Sequence, residues 1–252
     1  MIETLKDIAN IGFFLIVSVV TILSYLQARK TLFAPIKTET FKLQLKVFEE
    51  VIIYFQNKSE FDFLKNFDFD RIVSLNALKM ADAYVAAFFP NDIRIDQQER
   101  KKTFSPLVGG LVSEKHIKTI DPVFSSIVTQ IEMKPLFNNA SWLKYEHDMI
   151  EFTKKYSDQI NELDRLSASP ILPLPLREYI GDFRAVAHEN LHLVGLAITE
   201  CAKKMPEHFP NTSNMKNFST YWICNEFNDK RKHFQEPAKR ILDYINDYLN
   251  VE

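Results

Sequence analysis

Glycine is scarce in this chain, 5 of 252 residues, where a usual share is about 7%. So few glycines leave few positions for turns at positive φ, which works against a fold of many short strands and favours long helices. Only two cysteines are present, Cys201 and Cys224, and two thiols supply neither a disulfide framework nor a cysteine zinc knuckle. Charge of one sign is missing as well. The 31 Lys and Arg face 33 Asp and Glu, for a net charge of −2. Such a balance creates no general basic field, and no nucleic-acid partner is expected. There is no internal repeat, no phosphate-binding glycine loop, no dinucleotide fingerprint and no Ser-His-Asp signature.

What is there begins at the N-terminus. Residues 8–26 read IANIGFFLIVSVVTILSYL, nineteen positions without a charge, bracketed by Asp7 and Arg29. At 1.5 Å per residue such a run nearly crosses a hydrocarbon layer of about 30 Å. Tyr25 sits where interfacial aromatics are favoured. The start carries Glu3, Lys6 and Asp7 rather than a basic leader, and no small-x-small cleavage site follows, so the run reads as an uncleaved anchor in a lipid bilayer. Arg29, Lys30 and Lys37 lie after the run. The positive-inside rule therefore predicts an N-terminus outside and a C-terminal part in the cytoplasm. Four N-x-S sequons, at Asn57, Asn139, Asn211 and Asn217, are then ordinary polar residues. The expected organisation is an anchor and junction over 1–36 and one cytoplasmic all-α domain over 37–252, a bundle or irregular helical array.

Hydrophobic residues make up 46% of the chain and 21 are Phe, enough for a core dominated by aromatic rings. Pro35 is expected to kink or restart the chain after the anchor. Phe41, Leu45, Phe48, Ile52 and Phe55 recur at four and three, predicting a helix over 38–56. A second helix should run from a cap at Asp70 to residue 89, stopped by Pro90. Residues 91–112 are less regular: IRIDQQERKK over 93–102 reads as a solvated helix face or loop, and SPLVGGLVS over 105–113 as a mobile connector. A short helix is expected at 122–133. The clearest long helix is predicted over 139–166, where Trp142, Tyr145, Met149, Phe152, Tyr156, Ile160 and Leu163 keep helical spacing. SASPILPLPL, with three prolines in six residues, should be an extended strap. Helices are then expected at 177–204, 215–235 and 237–250, with Pro206 and Pro210 as breaks. No strand ladder is predicted.

One stretch carries chemistry. AVAHENLHLVGLAI over 185–198 contains His188, Glu189 and His192 in the order H-E-x-x-H. Histidines at i and i+4 share one side of a helix and both can reach one Zn²⁺, while the Glu between them can act as general base on a metal-bound water. In these letters the segment resembles the active-site helix of zincin metallopeptidases. The resemblance implies zinc, with His188 and His192 as ligands and Glu189 as the catalytic base. Gly195 also stands where the longer metzincin pattern has its glycine. The third ligand departs from that pattern, because its position holds Ile198. The gluzincin alternative needs a downstream acid, and NEFND over 225–229 falls one residue short, leaving Glu226 as the candidate third ligand. Zincins also place a sheet edge beside this helix, and none is predicted.

The plainer reading is a buried central helix with neutral, hydrogen-bonded histidines. Glu189 then needs a basic partner such as Arg184, because an unpaired buried carboxylate is costly. Glu189 with His192 is also half of a di-iron E-x-x-H set, but no second half exists. With no complete catalytic set, the sequence favours a membrane-anchored binding, sensing or self-assembling domain that takes a protein partner or a second copy of itself and needs no cofactor. The first alternative is a membrane-tethered zinc peptidase. The second is an effector whose anchor helix oligomerises to perturb the bilayer, which its small polar residues permit.

Overall fold

The computed structural model describes residues 2–112 and 139–250, with the side chains of 2–10, 32–35, 139 and 140 left aside. The expected helix at 122–133 lies outside the described residues. Helices dominate, in keeping with the scarcity of glycine. In chain order they are α1 (Ile2–Phe55), α2 (Glu60–Asn66), α3 (Phe69–Phe88), α4 (Gln97–Phe104), α5 (Asn139–Trp142), α6 (Lys154–Ser167), α7 (Leu174–His208), α8 (Thr212–Met215), α9 (Tyr221–Lys230) and α10 (Gln235–Asn250). Two strands, β1 (Leu107–Val112) before α5 and β2 (Met149–Thr153) before α6, pair antiparallel. The chain forms two compact units. One holds α1 up to Tyr54 and the turn at 169–173, and the other holds the remaining elements.

The first unit is the 54-residue helix α1 without its last residue, and a short tie. Pro35 neither breaks nor restarts it. A proline removes one backbone bond, and helix propagation on both sides carries the chain past that loss. Ile11–Phe55 is the one helix among the described residues long and apolar enough to cross a membrane, and its apolar window is entirely unburied. Phe14 is 67% exposed and Ile22 59%. The stripe read over 38–56 is buried only in its second half: Phe48 and Phe55 are covered, whereas Phe41 and Leu45 are exposed. Gln44 Nε2 donates to the Ile171 carbonyl at 3.0 Å, tying the 169–173 turn to α1. The prolines of this stretch make a tight turn, not an extended strap.

The second unit has an aromatic centre. Phe67 and Phe234 stack at 5.2 Å, with Phe63 and Phe183 packed around them. All four are almost fully buried. Ser59 and Asp62 form a reciprocal capping box that starts α2. Glu60, on the first turn of α2, reaches the start of α10 and accepts from the Phe234 and Gln235 backbone N–H groups at 2.7 and 3.1 Å. Asp70 does not cap α3. The preceding Asp68 takes a left-handed conformation, φ 62°, and makes the corner between α2 and α3. Such a short polar residue tolerates that conformation better than most.

Two expectations for the middle of the chain are corrected. LVGGLV is not a loop but strand β1, and 139–166 is not one helix but the short helix α5, a loop, strand β2 and helix α6. The aromatic spacing from Trp142 to Phe152 imitates helical periodicity, while Met149–Thr153 is half-buried and rich in strand formers. The two glycines of β1 suit the pairing: a Cβ on Gly109 would meet the Phe152 ring at 2.6 Å. Only one side of β2 pairs with β1. On its other side Asn76, from the middle of α3, takes the place of a neighbouring strand. Asn76 Oδ1 accepts from the Glu151 N–H at 2.9 Å, and Asn76 Nδ2 donates to the Glu151 carbonyl at 2.7 Å.

Helix α7 passes close over β2 at Gly195, where a Cβ would lie 2.8 Å from Ile150. That contact accounts for the glycine without a metal-site pattern. Gly195→Val is expected to destabilise the fold by about 3 kcal/mol through overpacking, read as a lowered urea midpoint. Helix α7 also runs four residues past the predicted end, through Pro206 to His208. Proline has no N–H for the carbonyl four residues back, that of Ala202. The buried Trp142 indole supplies the missing donor, Nε1 to the Ala202 carbonyl at 2.7 Å. At the helix end, the Tyr84 hydroxyl donates to the Phe209 carbonyl at 3.1 Å.

Candidate functional site

The HENLH stretch lies in the middle of α7, and each position has a different surrounding. His188 is half-buried, with Nδ1 at 3.2 Å from the Tyr156 hydroxyl. Burial pushes the Tyr156 phenol above its ordinary range, so Tyr156 keeps its proton and donates it. His188 Nδ1 is therefore the acceptor, and its proton sits on Nε2. Burial, then the nearby Arg184 cation, lowers the His188 pKa and favours the neutral ring. Arg184 does not reach Glu189; it pairs with Asp164 on α6. Glu189 pairs instead with Lys232 at 2.8 Å, in a contact about half exposed on both sides. Such pairs contribute less than about 1 kcal/mol.

Asn190, which the H-E-x-x-H spelling treats as a spacer, is the buried polar member. Its amide exchanges two hydrogen bonds with the Lys232 backbone, Nδ2 to the carbonyl at 2.9 Å and the N–H to Oδ1 at 2.7 Å. Leu191 is core and His192 is exposed. HENLH thus fastens α7 to α6 through His188 and to the α9–α10 connection through Glu189 and Asn190. That connection is held a second time by Glu60, which pairs with Arg231.

Glu226, the candidate third zinc ligand, is committed elsewhere. It lies 3.1 Å from Lys204 and 3.3 Å from Lys230. The hydrogen bond from Lys204 holds its carboxyl below the ordinary range. Ile198, at the metzincin ligand position, is fully buried. Among the described residues no group of three or more His, Cys, Asp or Glu side chains is arranged to hold a metal ion. His188 and His192 share their helix face as the spacing predicts, but the structure brings no described third ligand to them. The cysteines are equally quiet: burial pushes the Cys201 thiol up to about 12.

A second polar cluster was not anticipated. His147, in the loop before β2, sits between two partners. Its Nε2 is 3.1 Å from Asn76 Oδ1, and its Nδ1 is 3.1 Å from the Tyr145 hydroxyl. Asn76 Oδ1 can only accept, so the ring carries its proton on Nε2 and accepts from Tyr145 at Nδ1. Asn76 also donates to the Ile72 carbonyl at 2.8 Å. All four of its hydrogen-bonding valences are used, at a position with no solvent exposure. The available signal was a lone Asn within the apolar surface of α3, beside Val73, Ala77 and Met80.

Burial lowers the His147 pKa to about 4, against about 6.5 unfolded. Above pH 6.5 neither state is protonated and the stability is complete. As pH falls towards 4, the unfolded chain takes up the proton first and stability declines. The ring is partly exposed, so the expected loss is about 2 kcal/mol after allowance for solvent screening. His147→Gln, which keeps a donor towards Asn76 but does not titrate, should flatten this part of the urea-stability profile by nearly one proton.

No family model, curated protein or solved structure matches the chain.

Proposed function

We propose that residues 8–26 anchor the chain in a lipid bilayer, with the N-terminus outside. On this reading the second unit is a cytoplasmic binding or sensing domain that engages a protein partner or a second copy of the chain. The observation that carries the anchor is the exposure of Phe13, Phe14, Leu15 and Ile16 in unbroken succession, each above 60%. Four consecutive residues point to all sides of a helix, so the apolar surface is not a single docking stripe. Hydrocarbon is the surrounding that covers such a helix all round while its backbone groups satisfy one another. Arg29, Lys30 and Lys37 on the C-terminal flank support the orientation.

Binding rather than catalysis is supported by how His188, Glu189 and Glu226 are used. Tyr156 engages His188, Lys232 engages Glu189, and Lys204 and Lys230 engage Glu226. The test is lysine-directed crosslinking in sealed membranes, joined to protease digestion from the cytoplasmic face. The expected result is a discrete crosslinked dimer or heteromer, and digestion of residues 37–252 only when protease reaches that face. A monomer with no captured partner, or a domain cut from the opposite face, would overturn the reading.

A further inference from the structure

We propose that a cleft of about 530 Å³ between α3, the 92–96 loop and the residues following α8 binds a small carboxylate with an apolar body. The cleft lies wholly within the second unit, so the inference stands whether or not α1 crosses a membrane. Its volume falls in the range of small-molecule sites, roughly 300 to 1,000 Å³. Its lining combines an apolar floor with separately placed charges. Leu78, Ala81 and Val85 contribute one face of α3, with Ile93 and Ile95 from the loop and Phe218 opposite.

Three cations line the same space: Arg94, Arg100 and Lys216. Arg100 gives one Nη2 hydrogen bond to Asp82 Oδ1 at 2.8 Å, out of five N–H donors on a guanidinium. Arg94 and Lys216 are exposed and make no ion pair among the described residues. Four acids also line the cleft, but three are already engaged. Asp82 holds Arg100, Asp96 caps α4 by accepting from the Gln98 and Glu99 N–H groups, and Glu99 pairs with Lys102. Asp92 alone among them has no side-chain partner among the described residues. Two cations without an ion-pair partner, Arg94 and Lys216, therefore face one uncommitted acid beside an apolar wall. A planar carboxylate suits the guanidinium fork of an arginine, and the apolar floor suits a ring or short alkyl body.

The test is photolabelling of the full detergent-solubilised chain with 4-benzoylbenzoate, beside neutral 4-methylbenzophenone, with adducts mapped by peptide mass spectrometry. Labelling by the carboxylate should concentrate in residues 78–100 and 209–219. Joint reversal, Arg94→Glu with Lys216→Glu, should cut it about tenfold, because each reversal replaces one weak attraction by a repulsion. Asp92→Asn should raise it about twofold by removing the one free acid. These exposed side chains hold nothing in the fold, and an unchanged urea midpoint verifies that the variants are intact. Equal labelling by the neutral probe, adducts scattered over the exposed apolar surface, or indifference to the double reversal would overturn the proposal.

Discussion

Asn76→Leu is expected to destabilise the second unit by about 4 kcal/mol, more than any other single polar substitution among the described residues. Leucine has the same branching and heavy-atom count as asparagine and somewhat more bulk, so the cost does not come from a cavity. It comes from the groups left behind: the Glu151 N–H, the Glu151 carbonyl and the His147 Nε2–H all lose their partner. An orphaned buried donor or acceptor costs about 1 to 3 kcal/mol. The Glu151 pair lies in part-buried surroundings, where water can restore only some of the loss. Asn190→Leu removes the same two-bond amide contact from the Lys232 backbone but orphans no third group, and is expected to cost about 2 kcal/mol. Urea unfolding of the full chain in detergent, followed by tryptophan fluorescence, ranks the two. Equal and small losses would show that β2 does not depend on Asn76 for its unpaired side.

The second large effect is conditional on a proline. Trp142→Phe is expected to cost about 2 kcal/mol, because the Ala202 carbonyl loses its donor and phenylalanine underfills a buried indole site. In a Pro206→Ala background the helix can donate its own N–H to Ala202. There the same substitution should cost only about 1 kcal/mol, the packing part alone. The difference is a coupling of about 1 kcal/mol between residues 142 and 206, well above the scatter of independent sites. A coupling near zero would mean that the indole hydrogen bond does not compensate for the proline.

These two contacts also mark where the sequence could be read and where it could not. Long helices follow directly from few glycines and from stripes such as Val73, Ala77, Met80 and Tyr84, because local spacing reports one buried face. The helical class and the apolar N-terminal run were legible for that reason. Strand β2 was not, because Tyr145, Met149 and Phe152 fit a helical stripe, and its true partners, β1 and Asn76, are distant in sequence. The end of α7 was missed because a proline stops a helix only when nothing else satisfies the freed carbonyl, and Trp142 lies 60 residues before Ala202. In HENLH the spelling drew attention to His188, Glu189 and His192. The structure gives the deeper burial to Asn190, whose partner is a backbone that no motif encodes.

Whether residues 8–26 anchor the chain is read by alkaline carbonate extraction. Membranes holding the full chain are washed at high pH, which strips peripheral proteins and leaves bilayer-spanning ones. A companion chain carries Ile16→Arg and Val20→Arg, two charges in the middle of the apolar run, each costing about 2.5 to 3.5 kcal/mol at a helix centre. The full chain is expected in the membrane pellet and the doubly charged chain largely in the supernatant. Recovery of the unaltered chain in the carbonate supernatant would contradict the anchor.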